Sequence, residues 1–187
     1  MAFIFEETEI PGLLIVRPHF HEDERGSNMK IFHKEIFQER GMKCDFGETM
    51  ITTNLNKNVI RGFHYQRPPY AQYKLYYCLS GEWSNYSVDL RKGSPVYGKV
   101  ICIQMREEER KLLYIPEGIA NAHLVKKDRT RVLYQLGSKY MPDYDEGIRW
   151  DSLGIDFSVS NPIITDKDAA LPAFSDVDSP FIFGVNC

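Results

Sequence analysis

The chain lacks most of the features that would send a reader elsewhere. It has no run of lysine and arginine, and its formal net charge is -3, so composition gives nucleic acid no support as a partner. No apolar stretch approaches the length of a membrane span, and no membrane partner is expected. The first residues, Met1 to Glu7, carry neither a basic region nor an apolar run of signal length, and the expected compartment is the cytoplasm. The four cysteines, Cys44, Cys78, Cys102 and Cys187, are far apart and form no Cys-x-x-Cys pair. A zinc cage or redox motif is therefore not expected, and a reducing compartment suits them. Internal repeats, low-complexity runs and linkers are also missing, so the expectation is one domain over residues 1–187.

Aromatic residues, by contrast, are plentiful at 13%, with eleven Tyr and eleven Phe. Tyrosine-rich strands suit all-β proteins, and tyrosine-lined cavities suit sugars and bases. One helix is predicted over Lys34–Arg40, closed by Gly41, and a brief helical turn over Asp166–Leu171. Nine short strands are predicted at Leu13–Arg17, Gly47–Asn54, Val59–Gln66, Gln72–Ser80, Glu82–Asp89, Gly98–Gln104, Arg110–Ile115, Ala120–Lys126 and Thr130–Leu136. Turn residues such as Pro68-Pro69, Ser80-Gly81 and Lys92–Pro95 separate them. Many short strands at regular spacing imply a sandwich or barrel. The tail from Ala173 to Cys187 is expected to lie over the surface or on a neighbouring subunit.

Alternation along a strand sorts the polar residues into faces. His64 shares a face with Gln66, and Arg61 points the other way if its strand is regular. Lys74 shares a face with Gln72 and Tyr76, and Asn121 with His123, while Tyr134 sits in an otherwise apolar strand. Each has a plain structural reading: a hydrogen-bonded strand histidine, a solvated lysine, a core tyrosine. Together inside one barrel they would be costly without a ligand or mutual partners. A metal is not expected. The position two after His64 is Gln66, Glu82 and His123 complete no ligand set, and His19-Phe20-His21 lies in a charged loop.

Seven stretches, in order, carry a family resemblance: Asp23–Gly26, Arg61–Gln66, Ala71–Leu75, Val88–Pro95, Ile115–Gly118, Gly147–Trp150 and Asp166–Asp168. Over about Ile10 to Leu171 the sequence resembles the dTDP-4-dehydrorhamnose 3,5-epimerases and relatives acting on other nucleotide-bound 4-keto-sugars. The resemblance implies an all-β fold, a cupin-type jelly roll with a few short peripheral helices, a homodimer and no cofactor. It implies that His64 is a base hydrogen-bonded to Asp168, that Lys74 lies near the keto oxygen, and that Tyr134 is the acid on the opposite sugar face. Arg61 and Lys167 would bind the nucleotide-diphosphate sugar, as would Arg25, reaching in with its strand from the partner subunit. Gln66, Asn121, His123, Asp145 and Lys30 complete the substrate-binding candidates.

That chemistry is sound on its own terms. A proton beside a ketone is weakly acidic, so a neutral imidazole must take it while something stabilises the enolate. A lysine at the oxyanion can contribute roughly 3 kcal/mol, and inversion requires a second proton donor across the ring. The sequence also departs from the family pattern. The usual Phe-Ala-His-Gly after the Pro-Glu-Gly turn reads Ile119-Ala120-Asn121-Ala122, which puts Asn121 where a histidine is expected. His123 follows on the same face and is expected either to replace the missing group in part or to pack deeper. Lys30 stands at a position where the family favours glutamate, and Glu48–Ile51 replaces a Gln-Asp-Asn segment. The expectation is an unchanged reaction type on a shifted substrate, with inversion at C5, C3 or both, and with the base (dTDP, CDP or GDP) left open. The competing readings are a non-catalytic sugar-nucleotide-binding cupin, a keto-sugar isomerase on the same scaffold, and a metal-dependent cupin dioxygenase.

Overall fold

The computed structural model describes residues 3–185. In chain order the strands are β1 (Ile4–Glu7), β2 (Leu14–Arg17), β3 (Phe20–Asp23), β4 (Gly26–Met29), β5 (Glu48–Asn54), β6 (Ile60–Gln66), β7 (Lys74–Ser80), β8 (Glu82–Asp89), β9 (Val100–Arg106), β10 (Leu112–Ile115), β11 (Ile119–Val125), β12 (Thr130–Leu136) and β13 (Asp145–Gly147). Two short helices, α1 (Lys34–Glu39) and α2 (Asp166–Ala169), lie outside the strands. A six-stranded sheet, β1-β2-β10-β7-β12-β5, faces a five-stranded sheet, β13-β6-β11-β8-β9, and β3 and β4 form a separate hairpin. Every strand pairing is antiparallel. This is the expected all-β, cupin-like jelly roll.

The nine predicted strands all form, with ends moved by up to two residues. Four further strands, β1, β3, β4 and β13, fall outside the prediction. The segments Phe-His-Glu-Asp, Gly-Ser-Asn-Met and Asp-Glu-Gly are polar and short, with neither alternation nor β-branched residues. They become strands by pairing with a neighbour rather than by local preference. The helix α1 ends as predicted: Gly41 N donates to Gln38 O at 2.9 Å and Met42 N to Phe37 O at 3.1 Å. Gly41 has φ +74°, which completes a Schellman close, and Met42 and Phe37 belong to the same apolar cluster.

Alternation divides the core into layers. Between the sheets lie Tyr76, Cys78, Trp83, Ile103, Met105, Leu113, Val132 and Tyr134. On the outer face of the five-stranded sheet, Ala120, Ala122, Leu124, Tyr86 and Val88 are covered by Ile148, Phe157 and Phe181. On the outer face of the other, Leu75, Leu112 and Tyr114 are covered by Phe37 of α1. Burial on both faces explains why β11 is buried at every position. The tail lies on its own barrel: Phe181 is buried, Lys92 N donates to Phe181 O at 2.9 Å, and Phe183 N donates to Lys92 O at 2.9 Å. Residues 186 and 187 of that predicted tail lie outside the described residues.

Candidate active site

At one end of the sandwich the inward-facing positions turn polar. Lys74 and Tyr76 of β7, Asn121 and His123 of β11, and Tyr134 of β12 all line a cavity of about 420 Å³. Arg61 and His64 of β6, Thr52 of β5, Thr165 just before α2 and Asp168 of α2 complete its polar lining, and Ile163 and Ile164 give it an apolar flank. The five-stranded sheet therefore contributes His64, and the six-stranded sheet contributes Lys74 and Tyr134 to the facing wall.

Regular alternation would put Arg61 and His64 on opposite faces, yet both line this cavity. The expectation for Arg61 is corrected by a bulge. His64 pairs with Asn121 and Arg61 with His123, so β6 spends three residues where β11 spends two. The extra residue sits at Gly62, whose φ is +106°. A Cβ there would lie 2.5 Å from the Asn121 carbonyl oxygen, so glycine alone fits.

Asp168 is held at the start of α2 by the Thr165 hydroxyl, which accepts its backbone N–H at 3.2 Å. One carboxylate oxygen lies 2.9 Å from His64 Nε2 and the other accepts the Gly62 N–H at 3.0 Å. Burial pushes this carboxyl up, but the hydrogen bond and charge of His64 and the Gly62 N–H outweigh it, so it lies below the usual carboxylate value. An ionised carboxylate only accepts, so Nε2 carries a proton, and in the neutral ring the lone pair is on Nδ1. The His64 side chain is 33% exposed, against 6% for Asp168, as suits a base that meets a ligand and a carboxylate that does not.

Across the cavity, Lys74 Nζ donates to Asn121 Oδ1 at 2.7 Å and to the His64 carbonyl at 3.1 Å. Burial pushes the Lys74 ammonium down to about 8, opposed by the charge of Asp145. The Tyr134 hydroxyl lies 2.8 Å from His123 Nδ1, and Asn121 Nδ2 lies 3.1 Å from His123 Nε2. Burial raises the Tyr134 phenol to about 12, with Arg61 pulling it down. His123 is buried against the Trp83 ring, with centroids 4.2 Å apart.

Other candidates stand elsewhere. Gln66 does not line the cavity: its amide donates to the carbonyls of Tyr70 and Lys139 and accepts from Met141 N at 2.6 Å. It ties down the loop at 138–141. Asp145 accepts from Lys167 Nζ at 2.5 Å and from the Tyr140 hydroxyl at 3.1 Å, beside the cavity rather than in its lining. Arg25 is 82% exposed at the tip of the β3–β4 hairpin and is held by Asp23. Lys30 follows that hairpin, also exposed. Sequence reasoning missed Thr52 and the segment Ile163–Thr165. Thr52 shares a strand face with Asn54, which accepts from Arg61 Nε at 2.8 Å. The spacing of Thr165 and Asp168 is a helix-start signature that could have located the second.

A histidine–carboxylate pair and a buried tyrosine on facing walls of one jelly-roll cavity suit proton removal and return, and the similar proteins put the chain among isomerases of the racemase and epimerase class. The family model described as dTDP-4-dehydrorhamnose 3,5-epimerase matches residues 7–176, and the chain belongs to that family. A dTDP-4-dehydrorhamnose 3,5-epimerase of Shigella flexneri is 38% identical over 175 residues, covering 92% of this chain and 96% of that protein. A solved dTDP-4-dehydrorhamnose 3,5-epimerase from Bacillus anthracis, with TDP and PPi bound, has a TM-score of 0.88 at 29% identity, covering 92% of this chain and 99% of that one. A Legionella pneumophila dTDP-6-deoxy-D-glucose-3,5-epimerase, in complex with dTDP-4-keto-L-rhamnose, has a TM-score of 0.88 at 28% identity and covers 95% of each chain. Among the described residues no helix is long and apolar enough to cross a membrane.

Proposed function

We propose that this protein epimerises a nucleotide-diphosphate-linked 4-keto-6-deoxyhexose at a carbon beside the ketone, with His64 as base and Tyr134 as acid. The observation that carries the reading is their placement on facing sheets around a single cavity. His64 Nδ1 takes the proton alpha to the C4 ketone, and Asp168 stabilises the imidazolium that forms. The C–H pair moves into the enolate, whose oxygen is neutralised by the Lys74 ammonium. Tyr134 then delivers its hydroxyl proton to the carbon from the other face, which inverts it. Arg61 at the cavity mouth is suited to the diphosphate, and Lys167 stands nearby with the Asp145 carboxylate as counter-charge.

The relatives named for dTDP-linked sugars support dTDP as the carrier, and a homodimer is the proposed working form. In that dimer the exposed β3–β4 hairpin carries Arg25 into the partner's site. Unpaired Cys44, Cys78 and Cys102 suit a cytoplasmic enzyme. The test is wash-in of solvent deuterium into 4-keto-6-deoxyhexoses on dTDP, CDP and GDP carriers, followed by NMR. Label is expected at C5, at C3 or at both, with inversion, and with turnover reduced about 10³-fold in His64→Ala. Absence of label from both carbons on every carrier would reject the reading in favour of a binding protein.

A further inference from the structure

The cavity contains more polar groups than one base, one acid and one lysine require. Asn121 and His123 lie deep within it, 4% exposed each, and their hydrogen bonds form a chain that ends at Tyr134. The polarity of that chain follows from its two ends. Lys74 can only donate, so the atom of Asn121 that receives it is the carbonyl oxygen, at 2.7 Å. The Tyr76 hydroxyl reaches the same oxygen at 3.4 Å. The amide nitrogen of Asn121 therefore faces His123 Nε2 at 3.1 Å and Asn85 Oδ1 at 3.5 Å. The amide nitrogen of Asn85 lies 2.6 Å from Ser87 Oγ, which leaves its oxygen toward Asn121. With Asn121 donating, Nε2 of His123 must accept, and the ring proton must sit on Nδ1. That N–H points at the Tyr134 oxygen, 2.8 Å away. The opposite tautomer would set two donors against each other at Nε2 and leave Nδ1 to consume the tyrosine proton.

We propose that Asn121 holds His123 in the Nδ1–H form, and that His123, by donating to the Tyr134 oxygen, keeps the tyrosine's own proton directed at the substrate carbon. The proposal rests on the epimerase reading and makes Asn121 and His123 positioning residues for the acid. In the protonation step the Tyr134 O–H bond breaks and a C–H bond forms from the enolate pair. The phenolate oxygen retains its electrons and keeps the Nδ1–H bond. Burial, then the positive charges of Lys74 and Arg61, push the His123 imidazole well below its ordinary value, so it stays neutral and keeps one N–H to donate. A histidine two residues beyond the family's usual position thus supports the acid indirectly, and the asparagine in that usual position selects its tautomer.

The deciding measurement is NMR of the full-length protein labelled with ¹⁵N-histidine, with His123 assigned by the signals absent from His123→Phe or, if that variant does not fold, from His123→Gln. A neutral ring protonated at Nδ1 between pH 6 and 8, about the range in which an ordinary histidine titrates, is expected. Protonation at Nε2, or an imidazolium, overturns the proposal whatever the protein's substrate. The kinetic arm uses the ratio of inversion to deuterium exchange on dTDP-4-keto-6-deoxyglucose. In Asn121→Asp, a carboxylate facing Nε2 favours the other tautomer, and the ratio should fall about tenfold, the size of one ordinary hydrogen bond. The ratio, not the absolute rate or KM, is the readout, because the new carboxylate also meets Lys74. An unchanged ratio overturns the proposal. Loss of both exchange and inversion from the wild-type protein on every carrier would instead reject the epimerase reading, while the NMR result stands by itself.

Discussion

At the scale of single residues, Lys74 sets the most informative expectation. Its ammonium is pushed from 10.5 down to about 8 by burial. Activity that needs its positive charge should fall as pH rises through about 8. Stability should move the other way. The unfolded chain holds the lysine proton up to 10.5, the folded chain only to about 8, so between those values the unfolded state binds more protons and folding gains as pH rises. Parallel pH profiles of turnover and of urea midpoint from pH 7 to 10 would check this. Two curves falling together above pH 8 would show that loss of structure, not loss of charge, ends the activity.

Among the elements, the bulge in β6 matters most, because it turns Arg61 and His64 onto the same cavity. A methyl group at Gly62 meets the Asn121 carbonyl oxygen at 2.5 Å, on backbone with φ +106°. It would also disturb the Gly62 N–H that holds Asp168. Gly62→Ala is expected to cost about 3 kcal/mol, seen as a melting temperature lower by about 10 °C. Turnover should fall further than stability alone explains, since the His64–Asp168 pair shifts with the bulge. Thermal melting compared with turnover of the folded fraction tests both parts. A glycine inside a strand pattern is a known sign of a bulge, so this feature was within reach of the sequence. Which side chains it regroups was not, because that depends on the partner strand's register.

For the whole molecule, the proposed exchange of the β3–β4 hairpin makes a prediction about subunits. If Arg25 completes the partner's site, Arg25→Ala and His64→Ala homodimers are both impaired. Mixed dimers of the two chains would contain one site with both groups intact. Refolding equal amounts of the two variants together should recover up to about a quarter of wild-type activity, since about half of the dimers are mixed and each of those has one of its two symmetric sites intact. Activity no higher than the sum of the separate variants would place Arg25 in its own chain's site or in none.

The sequence by itself determined a great deal. Alternation located nine strands and put Lys74 with Tyr76 and Asn121 with His123 on shared faces, because the period of a strand is a local property of the backbone. Gly41, a local C-cap signal, located the end of α1 for the same reason. The tertiary structure alone decided which of those faces meet. The bulge that joins Arg61 to His64, the tying of Gln66 to the 138–141 loop, the covering of β11 on both sides and the chain of bonds from Lys74 to Tyr134 all depend on segments distant in sequence. No local preference carries that information: a side chain's hydrogen-bond partner is set by the register and packing of two sheets, and these exist only once the sandwich has closed.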